Sequence, residues 1–110
     1  MKIPTTPFTA TDWTKIPETV HPGETGEARW RTLNFGDLRV RRVDYSPNYL
    51  ADHWCDRGHV LFVIEGALDT ELKDGRRFTL TAGQSYQVSD FGDAAHRSST
   101  REGARLFIVD

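Results

Sequence analysis

From residue 29 onward the sequence is cut into short runs by turn signals, and this rhythm limits the fold more than any other feature. Runs 28–35 and 38–45 are joined by Gly36-Asp37. Ser46-Pro47-Asn48 turns the chain into run 49–55, and run 60–64 follows. Runs 68–73 and 76–81 flank Asp74-Gly75, a strong hairpin dipeptide because both positions of its tight turn need positive φ. Ala82-Gly83 leads into 84–89, then come 96–100 and 104–109. Short, evenly spaced strands without an amphipathic helical pattern predict an all-β sandwich or barrel.

The 110 residues are enough for one domain with a real core. We expect residues 1–28 to form a short irregular N-terminal arm, because Pro4, Pro7, Pro17 and Pro22 interrupt it. Thr11-Asp12-Trp13 can start a short helical turn, with Trp13 and Ile16 anchoring the arm onto a barrel of residues 29–110. Sixteen acidic and fourteen basic residues lie scattered, which argues against nucleic acid and anionic membranes as partners. The apolar run Val60 to Ile64 is far below the roughly 20 residues of a membrane span. Residues 1–7 have no apolar stretch of the signal-peptide kind. The single cysteine, Cys55, excludes an internal disulfide and fits a cytoplasmic location.

Chemistry concentrates at residues 52–66. His53, Cys55 and His59 fall within seven residues, and His96 is the one later histidine. On a strand, residues i and i+2 share a face, so His53 and Cys55 are expected to point together, about 6–7 Å apart. Imidazole and thiolate together suit Zn, Fe or Ni and not Mg or Ca, which want oxygen. The expectation is one divalent transition metal held by His53, Cys55, His59 and His96. The alternative is a set of polar core residues without metal. Cys55 can also be read as a nucleophile or as an inert buried thiol. His21, in a turn-rich stretch, is expected to play no part.

The spacing His53-x-Cys55-x3-His59-x6-Gly66 resembles the first cupin motif, with Cys55 in place of its second histidine and His59 in place of its glutamate. Gly83 and His96 match the ends of the second motif, while Asp90-Phe91-Gly92-Asp93 replaces its proline-glycine turn. Asp52-His53-Trp54-Cys55 resembles the small single-domain cupin-fold proteins named for a DHCW motif, as do His21–Gly26, Ser85–Val88 and the closing Leu106–Asp110. The resemblance implies a double-stranded β-helix, or jelly-roll barrel, with a metal-type site inside. It implies no particular substrate.

Other residues bear on a pocket. Arg39 and Arg41 share one strand face; if that face lines the barrel, a guanidinium there can clamp a carboxylate, and otherwise it is solvated. Tyr86 and Tyr49 are further candidates to line a small-molecule site, as are Trp30 and Trp54. The function then lies between a metal-dependent enzyme on a small organic molecule, a non-catalytic binding module and a structural barrel. Runs 60–64 and 104–109 are apolar on both faces, so we expect a homodimer or the arm to cover the outer one.

Overall fold

The computed structural model describes residues 2–110, so Met1 of the expected arm lies outside the described residues. The elements are a 3-10 turn at Trp13–Lys15, then β1 (Glu18–Pro22), β2 (Glu27–Phe35), β3 (Leu38–Tyr45) and β4 (Tyr49–Leu50). There follow β5 (His59–Leu72), β6 (Arg77–Thr81), β7 (Ser85–Val88), β8 (His96–Thr100) and β9 (Ala104–Val109). Every strand pair is antiparallel. The result is the expected all-β architecture, a curled sheet with its apolar side inward.

The arm is more ordered than its prolines suggest. Asp12 caps the 3-10 turn by accepting from the Thr14 amide at 3.0 Å. Residues 18–22, expected to be irregular, pair with β2 from Glu18 opposite Arg31 to Pro22 opposite Glu27. Pro22 is tolerated because β1 is an edge strand and Pro22 ends it, where a missing N–H costs little.

One strand does the work of two. The sequence predicts separate runs at 60–64 and 68–73, but β5 continues through both for 14 residues. Its first half pairs with β7 and β9, and its second half with β6 and β8. The register against β9 shifts between Val63 and Glu65, leaving Ile64 as the extra residue of a bulge. Gly66 follows with φ of 84°, a conformation that side-chain-bearing residues rarely adopt. Glu65-Gly66 is therefore a bend inside a strand and not its end. β5 leaves one half of the curled sheet there and enters the other.

Alternation along β5 and β9 sets the core. His59, Leu61 and Val63 face inward, as do Ala104, Leu106 and Ile108, against Val43 and Leu68. The outward residues Val60, Phe62 and Ile64 stay 41–44% exposed in the single chain. Trp13 packs edge-on to Phe107, with ring centroids 5.9 Å apart, so the arm covers part of this outer face. No helix among the described residues is long and apolar enough to cross a membrane.

The bend gives a direct test. A Cβ at Gly66 would collide with the Gly103 carbonyl, whereas one at Gly75, also at positive φ, meets nothing within 4 Å. Gly66→Ala is expected to lose about 2 kcal/mol or more, and Gly75→Ala about 1 kcal/mol. Urea unfolding of both variants beside the parent measures the difference.

Candidate functional site

The segment before β5 decides which candidate residues meet. Residues 51–58 are not a strand; Cys55 alone forms a bridge, exchanging both backbone hydrogen bonds with His96 at 2.8 and 2.9 Å. Strand parity therefore does not govern His53. Its Nδ1 lies 2.7 Å from the neighbouring Asp52 carboxylate, and its side chain is 72% exposed at the lip of the cavity. The segment is held instead by its loop contacts: the Gly58 amide donates to Asp90 and the Phe91 amide to the Asp56 carbonyl.

His59 and His96 behave as expected of inward residues. They come from β5 and β8, are both buried, and have ring centroids 4.8 Å apart. Directly opposed residues of an antiparallel bridge share a face, so Cys55 lies on the His96 side of the sheet. Tyr86 on β7 places its hydroxyl 2.8 Å from His59 Nε2. Of the two tyrosines expected at a pocket, Tyr86 thus touches the histidine pair. Tyr49 lines the same cavity while stacked on Tyr45 at 4.2 Å.

Arg41 points inward, so the solvated reading of its face is not the one adopted. It is buried, and its Nη2 donates to the Asp110 carboxylate at 3.0 Å. Arg39 donates to both oxygens of the same carboxylate at 3.0 and 2.9 Å. This two-pronged pairing is among the stronger ionic hydrogen bonds available. Arg41 also stacks over the Trp30 ring at 4.4 Å, a cation–π contact. His21 also stacks on Trp30, with ring centroids 3.8 Å apart and planes nearly parallel. His21 is therefore not a turn-loop residue: β1 carries it onto Trp30, two layers from the buried carboxylate.

Asp110 is the centre that the sequence reading missed. Positions 104, 106 and 108 of β9 face inward, so parity carried one step beyond the strand already aims 110 inward. Burial pushes its carboxyl up, but the His59 imidazole, the Arg39 hydrogen bonds and the charges of Arg41 and Arg39 outweigh this and hold it below the usual carboxylate range. His59 Nδ1 is 3.7 Å from Asp110, a polar contact longer than a hydrogen bond. The carboxylate favours hydrogen on Nδ1, which leaves Nε2 to accept from Tyr86. Burial chiefly, with the neighbouring Tyr45 and Cys55, raises the Tyr86 hydroxyl, so it stays protonated and able to donate.

These groups surround a cavity of ≈ 130 Å³ at the open end of the sheet. Buried polar side-chain atoms without a hydrogen-bond partner occur on Arg41 (Nε), His59 (Nδ1), Thr70 (Oγ1), His96 (Nε2) and Arg97 (Nε). All of them but Thr70 belong to residues lining this cavity. Unsatisfied buried groups are uncommon and concentrate where a ligand completes them.

The expected metal set does not fit this arrangement. His53 turns outward to Asp52, and His59 commits Nε2 to Tyr86. That leaves His96 Nε2 and the Cys55 thiol without a third donor. Among the described residues no group of three or more His, Cys, Asp or Glu side chains is placed to hold a metal ion.

No protein-family model and no curated protein matches the sequence. Solved structures do match the fold. The polyketide cyclase RemF from Streptomyces resistomycificus aligns over 93% of this chain and 78% of its own, at 20% identity and a TM-score of 0.76. The ectoine synthase from P. lautus aligns over 93% and 76%, at 18% identity and a TM-score of 0.71. An RmlC-like cupin from Shewanella frigidimarina aligns over 90% and 86%, at 20% identity and a TM-score of 0.67. The chain has the cupin fold.

The histidine pair predicts a pH dependence. Burial first, and then the neighbouring His59, push His96 down to about 4, against an ordinary value of 6.5. Between these values the unfolded chain binds a proton at this position that the folded chain does not. Stability should therefore fall as pH drops from about 6.5 to 4, by on the order of 2 kcal/mol. Urea midpoints across this range should show the slope in the parent and a smaller one in His96→Gln.

Proposed function

We propose that this chain is a cupin-fold binding protein for a small organic carboxylate, held in the cavity between Arg41, His59, Tyr86 and His96. The observation that carries the reading is Arg41 Nε, buried in the cavity wall without a partner while Nη2 is held by Asp110. The wall carries Arg39, Arg41, Arg57 and Arg97; Glu71 pairs with Arg97 at 3.5 Å and Asp110 is the one carboxylate facing the other three, which leaves a formal excess of two positive charges. An anion placed there gains charge-assisted hydrogen bonds in a partly desolvated site. Trp30 fixes the plane of Arg41, so little side-chain freedom is lost on binding.

The same arrangement is suited to moving a proton on the bound molecule. His96 Nε2 is free to accept one, and Tyr86 donates to His59, which faces Asp110. General acid–base work needs such paired donors and acceptors within reach of one ligand. Fold neighbours include proteins named as a cyclase and a synthase, and catalysis by this chain is the extension of the reading. The likeness of Asp52-His53-Trp54-Cys55 to the DHCW cupins, and a cytoplasmic location, belong to the same reading.

Acetate is the test ligand, with neutral acetamide as its control. Chemical shifts of the parent should move with acetate at an affinity on the order of millimolar and not with acetamide. Arg41→Gln should abolish the response, and Arg57→Gln, at a more exposed position, should weaken it several-fold. Equal binding of acetate and acetamide would overturn the reading. Elemental analysis of the same protein should find metal well below one equivalent. A full equivalent lost in His96→Gln would restore the metal centre instead.

A homodimer belongs to this proposal. Val60, Phe62 and Ile64 form the outer face of β5, with Phe107 directly opposite Phe62 and Val109 opposite Val60. The arm reaches Phe107 but leaves the β5 residues half exposed. A second copy offering the same apolar stripe would cover them. Sedimentation at roughly tens of micromolar should give a dimer that Phe62→Asp dissociates. A monomer under these conditions would refute it.

A further inference from the structure

A second cavity, of ≈ 190 Å³, lies on the other side of His96 and Tyr86. Its wall is almost wholly apolar: Leu72 of β5, Phe78 and Leu80 of β6, and Val88 of β7. Phe78 is half exposed at the rim. His96 and Tyr86 line both cavities, so the two form neighbouring chambers with a shared wall. Two of the lining residues, Thr70 and His96, carry buried polar atoms. Thr70 Oγ1 and His96 Nε2 belong to residues only 4% and 5% exposed, and neither has a hydrogen-bond partner.

An apolar wall of this kind has a size and a chemistry. A hydrophobic void of about 150 Å³ holds a benzene ring, so this one suits a single aromatic ring with a small substituent. Apolar residues alone would take any such ring. A buried hydroxyl and a buried imidazole nitrogen left unpaired favour a ring that carries its own donor and acceptor.

We propose that the apolar chamber seats a monocyclic aromatic group bearing a hydroxyl, which bridges Thr70 Oγ1 and His96 Nε2. The ring hydroxyl donates to His96 Nε2 and accepts from the Thr70 hydroxyl. Combined with the reading of the polar cavity above, on which only the acid group depends, the ligand class is a small hydroxyaryl carboxylic acid. The aromatic half of the proposal stands without that reading.

The experiment is a chemical-shift titration of the parent, Thr70→Val and Leu80→Trp with phenol and with toluene, and separately with acetate. Phenol should shift the amides around Thr70, Leu80 and His96 and bind the parent at least five-fold tighter than toluene. Thr70→Val keeps the shape and removes one of the two hydrogen-bond partners, so phenol should lose several-fold of its advantage over toluene, with the His96 bond retained, while toluene is unchanged. Leu80→Trp should fill the chamber and abolish both responses, with acetate still shifting the Arg41 region. If Leu80→Trp does not fold, Thr70→Val alone decides the matter. Phenol binding that is no tighter than toluene, or is unaffected by Thr70→Val, overturns the proposal. A parent that takes phenol in this way but ignores acetate keeps the aromatic chamber and removes the carboxylate reading.

Discussion

The structure depends on β5 crossing from one half of the curled sheet to the other without a break in the chain. A flat antiparallel strand would pair with the same neighbours along its whole length. The bulge at Ile64 and the positive φ of Gly66 change its direction, so its first half pairs with β7 and β9 and its second with β6 and β8. Both faces of the core then close on Leu61, Val63, Leu68 and Leu106. The same crossing puts His59 at the entry of the strand and Thr70 near its end, one in each of the two chambers.

The second organising interaction is the carboxylate of Asp110. A buried acid is costly to ionise unless cations and hydrogen-bond donors surround it. Arg39 and Arg41 supply both, and the backbone of Arg39 exchanges two further hydrogen bonds with Asp110. Arg41 is in turn pressed on Trp30, and Trp30 on His21. The edge strand β1 therefore reaches the polar cavity through a stack of planar groups and not through a direct contact. The same strand is tied to β2 by the Glu18 carboxylate, which pairs with Arg29 and Arg31.

Polar and apolar chambers meet at His96 and Tyr86. Tyr86 is anchored by His59, whereas His96 keeps a buried nitrogen unpaired beside it. An imidazole in that position is held neutral by its surroundings, which makes it an acceptor over the ordinary pH range. Where His53, Cys55, His59 and His96 were expected to converge on one metal, the chain offers an ionic cluster, a tyrosine–histidine pair and one free imidazole. The proposed ligand chemistry and the response to acid follow from that substitution.

Much of this was written in the chain itself. Turn dipeptides and the rhythm of short apolar runs determined an all-β fold, because these signals act over a few residues. The runs 96–100 and 104–109 coincide with β8 and β9 for the same reason, although 104–109 reads as apolar on both faces and its inward face could not be told from the sequence. What the sequence could not decide was which segments are strands at all. Run 49–55 has a strand-like pattern, yet only Tyr49–Leu50 is a strand, His53 pairs outward with Asp52 and Cys55 forms an isolated bridge to His96, so the side chains expected to converge do not. The partners of Asp110 and the stack through His21 also depend on segments 69 or more residues apart in one case, and on an edge strand interrupted by proline in the other. Local propensity carries no information about such distant pairs; they exist only once the sheet has curled and brought its strands together.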